Sequence, residues 1–497
     1  MGRWLGRIAI LVAGLGASLA AAQRADPVPE IAGPLIGPVA SEHRATVNGV
    51  SIPYRATFRE YELKSADGRP QATISATSYV RTDRPARPVF FLFNGGPGAS
   101  SSPLHFTAFG PRLRPPGRGA DDRPFTDNAD SLLDVADLVF VDPVGTGFSR
   151  VLPGGSGASY WAPRGDAATV LELIRNWLRD NGRAAAPVFI AGESYGGFRL
   201  ATMMGDASDL NLHGLLLVSP ATSMAYLAGA GSSDNEYVFS LPTMAVAAWH
   251  HEKVDRRGLT AEQYYAEASD FAERDYLAAL HQGSALPDAD RRRIAARMAQ
   301  FIGLSSDAIL AANLRIGDDL FVDSLLRDSN RLVGRLDTRI AAPVRPPARA
   351  DRPAAANDPS LGLGATNVIR SAAITRYMAE ELGVNPGRDY VSLTLDVNFN
   401  WNWFEATDNR TLLYNPLRNI AAAMTASPSL RLMVAGGIFD LAVPPASARY
   451  AVRHANIPLD RVRFLALNAG HSPFEEPASR HAFAEEVRAF VRSTSRP

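Results

Sequence analysis

A serine stands between glycines at residues 192–196, in the stretch Gly-Glu-Ser-Tyr-Gly. An apolar, strand-like run precedes it at 188–191, and another glycine follows. The spacing fits G-x-S-x-G, in which a serine lies on a strained turn from strand to helix. Glycine neighbours avoid clashes there, and the helix that follows aims its first N–H groups at a developing oxyanion. Ser194 is therefore a candidate nucleophile; the alternative is a glycine-rich turn with an inert serine.

A nucleophilic serine needs a histidine as base and a carboxylate to orient that histidine. After turns of this kind the acid comes next in the chain and the histidine last. Asp440 follows the strand-like run LMVAG, and His471 follows FLALN in a glycine-flanked loop. We therefore predict that Asp440 and His471 complete a triad with Ser194. The alternatives are a loop histidine and a turn-forming or helix-capping aspartate.

A second glycine-rich loop, Asn-Gly-Gly-Pro-Gly at 94–98, follows the apolar run FFLF. A loop after an early strand supplies the second oxyanion donor in proteins with this turn. The candidate donors are the backbone N–H groups of Gly96 and Tyr195. A plain glycine-rich turn is the alternative.

Short, continuously apolar runs precede these candidate residues and predict the strands that position them. They lie at 88–93, 137–142, 187–192 and 212–219. Such runs are typical of strands buried on both faces of a parallel sheet. A helical pattern at 165–180 separates the second run from the third, and alternating segments at 45–82 predict antiparallel strands with a turn at Asp67-Gly68. This order favours an α/β, doubly wound fold.

The alternation of strand-like and helical patterns stops near residue 220 and resumes at residue 430. Mostly helical patterns, such as 259–282 and 288–302, fill the interval. We predict a first core segment at 23–220, a helical cap insertion at 221–425 and a second core segment at 426–497.

The composition is that of an ordinary globular protein: 497 residues, 46% hydrophobic, 21% charged and without net charge. This balance gives no reason to expect nucleic acid or an anionic membrane as partner. The chain has no cysteine, which excludes thiol catalysis, cysteine-ligated zinc and iron–sulfur chemistry. The candidate chemistry requires neither a metal nor a cofactor.

The first 22 residues have the layout of a signal peptide, with two arginines, a short apolar run and a small-residue site at 20–22. The apolar run is too short for a transmembrane helix of about 20 residues. We expect cleavage after Ala22 and export to the periplasm or the extracellular space, without stable membrane insertion. An uncleaved anchor is the alternative.

Several stretches together resemble the serine carboxypeptidases, the family typified by carboxypeptidase Y. They are NGGPGASS (94–101), VDPVGTGFS (141–149), GESYGG (192–197), and AGGIFD with NAGH (435–440 and 468–471). The stretch VGRLDTR (333–339) is similar to the exported bacterial branch of that family.

The resemblance implies an α/β-hydrolase fold with a mostly parallel central sheet and a largely helical cap. It implies release of the C-terminal residue from peptide substrates through an acyl-enzyme, often in mildly acidic conditions. It also implies that Asn94, Gly95 and a protonated Glu193 hold the substrate's terminal carboxylate. The alternative role for Glu193 is a buried acid that braces the turn.

This chain departs from the family pattern at two places. Ala108 stands where well-known members have a second glutamate, and Ala99 stands where they have a disulfide cysteine. Arg112, just downstream, is a hypothetical supplement for carboxylate binding; a surface arginine is the alternative. Trp401 and Trp403 are candidates for lining the pocket or for packing only.

Other functions on the same scaffold stay open at this point. They are an esterase, an acyltransferase and an aminopeptidase that releases N-terminal proline. A secreted binding protein without catalysis is a further alternative, which the intact serine, aspartate and histidine disfavour.

Overall fold

The computed structural model describes residues 28–115, 123–222, 233–345, 354–363, 366–403 and 415–494, without the side chains of 354 and 355. The expected signal segment at 1–22 lies outside these residues. Among the helices described, none combines the length and the apolar character needed to span a membrane.

The strands of the described chain are short, apart from three long ones near the N-terminus. They are β1 (Val39–Val47), β2 (Val50–Lys64), β3 (Pro70–Arg81), β4 (Val89–Phe93), β5 (Arg112–Leu113), β6 (Thr126–Asp127), β7 (Asp137–Asp142), β8 (Val188–Glu193), β9 (Leu212–Val218), β10 (Arg331–Val333), β11 (Ala341–Pro343), β12 (Val368–Ser371), β13 (Tyr390–Thr394), β14 (Arg431–Gly437) and β15 (Val462–Leu467).

Nine of these strands form one sheet in the order β1-β2-β3-β7-β4-β8-β9-β14-β15. The neighbours from β7 to β15 run parallel. The neighbours from β1 to β7 run antiparallel. The predicted α/β-hydrolase fold with a mostly parallel sheet is therefore confirmed, as are the apolar runs predicted to be its strands.

The α-helices follow the predicted alternation in the core and cluster between β9 and β10. They are α1 (Pro163–Asp180), α2 (Tyr195–Met203), α3 (Asn235–His250), α4 (Ala261–Phe271), α5 (Leu277–Gln282), α6 (Asp288–Ile302), α7 (Ser306–Ala311), α8 (Asp318–Ser324), α9 (Ala372–Glu380), α10 (Leu395–Phe399), α11 (Leu417–Ala426), α12 (Pro445–Arg453) and α13 (Pro477–Thr494).

Helices cover both faces of the sheet, which explains why the central strands are apolar throughout. Along β4, Phe91 and Phe93 belong to one buried cluster, whereas Phe90 and Leu92 belong to another. The first cluster includes side chains of α1, α2, α11 and α12, and the second includes side chains of α9 and α13. Successive side chains of a strand point to opposite faces, so a doubly covered strand must be apolar at every position.

The predicted cap at 221–425 contains two different environments. Helices α3 to α8 pack around an apolar cluster of their own. Helices α9 and α11 instead bury their apolar faces against the two clusters of the sheet. The boundaries of the cap stay a prediction. Among its described residues, the first part has a large apolar core, and a small cluster of Ala356, Leu363 and Leu395 lies in the later part.

A buried ionic network connects the sheet to the segment before β13. Glu60, on β2, accepts hydrogen bonds from the guanidinium groups of Arg150 and Arg388, the latter at 2.7 Å. The side chains of Glu60 and Arg150 are fully buried. The backbone N–H of Ile36 donates to the second carboxylate oxygen of Glu60 at 2.8 Å. One carboxylate thus compensates two guanidinium groups, and this holds the 366–403 segment against the sheet.

We predict that Glu60→Gln destabilises the protein by about 3–5 kcal/mol, because it leaves two largely buried guanidinium groups without a counter-charge. Glu42→Gln is the matched control, since Glu42 pairs with Arg55 at an exposed site on the neighbouring strand. Its expected cost is below about 1 kcal/mol. Urea unfolding of both variants measures the difference; equal costs would contradict the role of the network.

Candidate active site

The turn that carries Ser194 is strained and crowded. Ser194 lies between the end of β8 and the start of α2, with φ 59° and ψ −127°. Positive φ is costly for a residue with a side chain and is found mainly where surrounding structure imposes it. A Cβ on Gly192 would overlap the carbonyl group of Gly196, and a Cβ on Gly196 would lie 2.9 Å from the carbonyl oxygen of Phe93. The glycines are therefore required by close backbone contacts, as the motif predicts.

The 94–98 loop after β4 lies directly against this turn. A Cβ on Gly95 would overlap the backbone nitrogens of Tyr195 and Gly196. Gly96 has φ 96°, a conformation that favours glycine. The structure thus brings the 94–98 loop and the N-terminus of α2 together, where peptide dipoles favour negative charge.

Asp440 and His471 meet beyond the ends of two neighbouring parallel strands. Asp440 follows β14, His471 follows β15, and His471 Nδ1 lies 2.7 Å from Asp440 Oδ2. Asp440 is fully buried, and its other oxygen accepts a hydrogen bond of 3.0 Å from the Val443 N–H. Burial lowers the pKa of His471, but the Asp440 carboxylate outweighs this effect and raises it above its ordinary value. The pair therefore stabilises an imidazolium, the form that a base takes after accepting a proton.

A cavity of about 350 Å³ is lined by six of the predicted site residues, whereas Tyr195 and Asp440 are not among its described lining residues. Ser194 and His471 both line it, and so do Asn94, Gly95, Gly96 and Glu193. Its volume falls at the lower end of the range for small-molecule sites. No group of three or more metal-ligating side chains occurs within the residues described.

Glu193 is buried beside Ser194, and side chains from two different loops donate hydrogen bonds to it. Asn94 Nδ2 donates to its Oε2, and the hydroxyl of Ser472 donates to its Oε1 at 2.6 Å. Burial raises the pKa of Glu193 to about 7, although the contacts with His471, Ser472 and Asn94 act in the opposite direction. At neutral pH this carboxyl group is therefore divided between its protonated and ionised forms. Ser472 is not among the predicted site residues, although it directly follows the candidate histidine in the sequence.

A loop of the predicted cap binds the backbone just beyond the ends of β14 and β15. The 334–340 loop joins β10 to β11. The His471 N–H donates to the Leu336 carbonyl at 2.6 Å, and the Leu441 and Ala442 N–H groups donate to the Arg335 carbonyl at 2.8 and 3.1 Å. The same loop thus binds the backbone on both sides of the Asp440–His471 contact. In the sequence, this stretch shows only a family resemblance and does not predict these contacts.

Arg112 does not lie where the hypothesis of carboxylate binding needs it. Its guanidinium pairs with Asp127 at 2.5 Å and lies 3.4 Å from Glu381. It is not among the described residues that line the cavity. The hypothesis for Arg112 is therefore wrong, because two carboxylates hold this side chain elsewhere.

The two tryptophans pack instead of lining the cavity. The Trp401 and Trp403 rings contact the ring of Tyr195 edge-on, with centroids 5.2 and 5.7 Å apart. Trp401 belongs to the apolar cluster on that face of the sheet. The Tyr195 side chain thus anchors the first turn of α2 in the core.

Residues 77–255 match the family model described as serine carboxypeptidase. "Serine carboxypeptidase-like 36" from Arabidopsis thaliana is 31% identical over 183 residues, which cover 34% of this chain. The chain spans 36% of the length of that curated relative.

Similar solved structures include two esterases. RhEst1 from Rhodococcus sp. ECU1013 is 16% identical, with a TM-score of 0.35 over 88% of this chain and 99% of that one. EaEST from Exiguobacterium antarcticum is 13% identical, with a TM-score of 0.36 over 87% of this chain and 98% of that one.

We predict that Gly437→Ala separates Asp440 from His471, because the new Cβ would overlap the carbonyl oxygens of Ala469 and Gly470. The pKa of His471 should fall toward its ordinary value of about 6.5, as seen in an NMR titration of the imidazole.

Gly436→Ala is the matched control for this change. The atom nearest to the new Cβ would be Pro445 Cγ, at 3.3 Å. Because this atom belongs to a side chain and not to the backbone that carries His471, the pKa of His471 should stay raised. A Gly437→Ala protein with an unchanged His471 titration would contradict the argument.

Proposed function

We propose that the protein hydrolyses the C-terminal peptide bond of peptides, because residues 77–255 match the serine carboxypeptidase family model. One observation carries the proposal. The cavity that contains Ser194 and the Asp440-paired His471 also contains the buried Asn94–Glu193 pair. A nucleophile thus lies beside groups suited to a terminal carboxylate.

The reaction proceeds by acyl transfer in two steps. Ser194 Oγ attacks the carbonyl carbon of the last peptide bond, and His471 takes the hydroxyl proton while Asp440 orients the imidazole. The N–H groups of Gly96 and Tyr195 stabilise the oxyanion, an effect worth about 10²–10³ in rate per donor. His471 then protonates the departing amino group, and the acyl-enzyme remains. A water molecule, deprotonated by His471, hydrolyses the ester and releases Ser194.

Recognition of the terminal carboxylate depends on a proton at Glu193. A carboxylic acid donates a hydrogen bond to a carboxylate only in its neutral form. The raised pKa of Glu193, about 7, keeps this form populated up to neutral pH. Asn94 and the backbone of Gly95 complete the binding site for the carboxylate. This arrangement favours an exopeptidase over an esterase, for which a carboxylate site has no use.

We also propose that the chain belongs to the exported branch of the family and acts in the periplasm or outside the cell. The pattern of residues 1–22 supports this. Mass spectrometry of the mature N-terminus tests it, and an intact Met1 in exported protein would count against cleavage.

We predict that the protein shortens N-blocked peptides stepwise from the C-terminus and that Ser194→Ala abolishes this activity. Mass spectrometry of a peptide mixture at several pH values provides the measurement. C-terminally amidated peptides serve as controls and should react far more slowly. Unchanged peptides alongside rapid cleavage of simple esters would indicate an esterase, and release of N-terminal proline would indicate the aminopeptidase.

The pH dependence of substrate binding should follow the protonation of Glu193. Glu193 is a donor below its pKa of about 7, so KM for peptides with a free carboxylate should rise as pH increases through that value. KM for ester substrates without a carboxylate should not show this rise. Glu193→Gln, a permanent donor, should remove the rise for the free acids. The same pH profile in Glu193→Gln and in the unaltered protein would contradict the role of Glu193.

A further inference from the structure

A buried arginine lies in the helix that begins at the turn of Ser194. Arg199 is on α2, and its side chain is only 1% exposed. Its Nε donates a hydrogen bond of 2.6 Å to Asp166 Oδ2, in the first turn of α1. Burying a charge is costly unless a counter-charge and hydrogen bonds compensate it. The Asp166 carboxylate compensates the guanidinium here, yet the acyl-transfer steps do not use this pair.

The same guanidinium also binds the backbone of the 94–98 loop. Its Nη1 donates a hydrogen bond of 2.6 Å to the carbonyl oxygen of Asn94. A trans peptide unit is planar, so the N–H of Gly95 points away from that carbonyl. Gly95 lines the cavity, whereas Arg199 is not among the described lining residues. Arg199 thus fixes the orientation of the peptide that leads from β4 into the cavity wall.

The contacts of Arg199 connect the two segments that carry the proposed oxyanion donors. One donor, the Tyr195 N–H, begins α2, and Arg199 lies one helical turn after it. The other donor, the Gly96 N–H, belongs to the loop that Arg199 binds. The guanidinium carbon of Arg199 also lies 5.3 Å from the ring centroids of Phe93 and Tyr195. One side chain therefore contacts both segments close to the points where they begin.

The placement of the two donors decides how well they stabilise an oxyanion. Both N–H groups must lie about 2.7–3.1 Å from the same oxygen atom. The two backbones are already close, since a Cβ on Gly95 would lie 2.4 Å from the backbone nitrogen of Tyr195. Close packing alone does not fix the direction in which the N–H groups of the loop point. The hydrogen bond to the Asn94 carbonyl fixes it, because it sets the plane of that peptide.

We infer that Arg199, held by Asp166, positions the Gly96 N–H relative to the Tyr195 N–H for stabilisation of the oxyanion. The inference rests on the proposed function, and it concerns the acceleration of the reaction and not the recognition of the substrate carboxylate. Arg199 is a positioning residue, since it acts through the backbone of Asn94. Its loss should weaken binding of the transition state and leave binding of a simple substrate unchanged.

A boronic acid without a carboxylate tests the inference without turnover. The Ser194 oxygen adds to boron, His471 takes the proton, and a boronate oxygen occupies the oxyanion position. Arg199→Met should weaken binding of phenylboronic acid in calorimetry by at least about 10-fold, since outright loss of one donor costs about 10²–10³. For a simple ester, kcat should fall by a similar factor while KM changes by less than about 2-fold. Arg199→Lys, which keeps the charge, should restore part of the loss.

Arg488→Met is the matched control for the loss of a buried guanidinium. Arg488, on α13, is fully buried; its Nε donates to Asp134 Oδ1 at 3.1 Å, and its Nη2 donates to the Ser131 carbonyl at 2.8 Å. None of these three is among the described residues that line the cavity. Arg488→Met should lower the melting temperature and leave boronate binding and the ester kcat unchanged. If Arg199→Met folds poorly, its combination with Asp166→Asn, which removes both charges of the pair, repeats the test.

Unchanged boronate binding in Arg199→Met would overturn the inference, and so would an equal loss in Arg488→Met. A raised KM with an unchanged kcat for the ester would also overturn it, because such a change indicates lost substrate binding. If the unaltered protein binds the boronic acid but cleaves no peptide, the proposed reaction fails, and the boronate comparison still decides the role of Arg199. The two failures are therefore distinguishable.

Discussion

The site depends on backbone segments that approach one another more closely than any side chain permits. Gly192 faces Gly196 across the turn that carries Ser194, and Gly95 lies against the start of the helix that follows. On the other side of the cavity, Gly437 lies against Gly470. Each contact joins segments that are far apart in the chain or that reverse direction sharply. Close contacts between backbone segments thus position Ser194 and His471.

Electrostatics adds a second link between the same loops. The Glu193 carboxyl group contacts Asn94 from the loop after β4 and Ser472 from the loop after β15. Burial penalises its charge, while the hydrogen bonds and the nearby imidazole favour it. The balance leaves this group close to the midpoint of its titration at neutral pH. The protonation states of Glu193 and His471 are therefore electrostatically coupled, since each side chain shifts the pKa of the other.

The fold and the turn at Ser194 could be predicted from the sequence because each depends on the types of residues that are neighbours in the chain. Strands covered on both faces are apolar at each position, and the strained turn needs glycine on both sides of its serine. The 334–340 loop had no such signal, because backbone hydrogen bonds between distant segments do not select residue types. Arg112 and Arg114 lie two positions apart in one segment. Only the folded chain shows that Arg114 lines the cavity and that Arg112, which pairs with Asp127 and Glu381, is not among the described lining residues.

The hydrogen bonds of the 334–340 loop connect the predicted cap directly to the backbone around Asp440 and His471. Leu336 and Arg335 supply carbonyl acceptors to the backbone around His471 and Asp440. Cap and core are consequently not exchangeable modules. A chimera that takes the cap of a relative to alter substrate preference would also replace these acceptors. Because the acceptors are backbone carbonyls, such a chimera keeps these hydrogen bonds only where the grafted loop follows the same backbone path as residues 334–340.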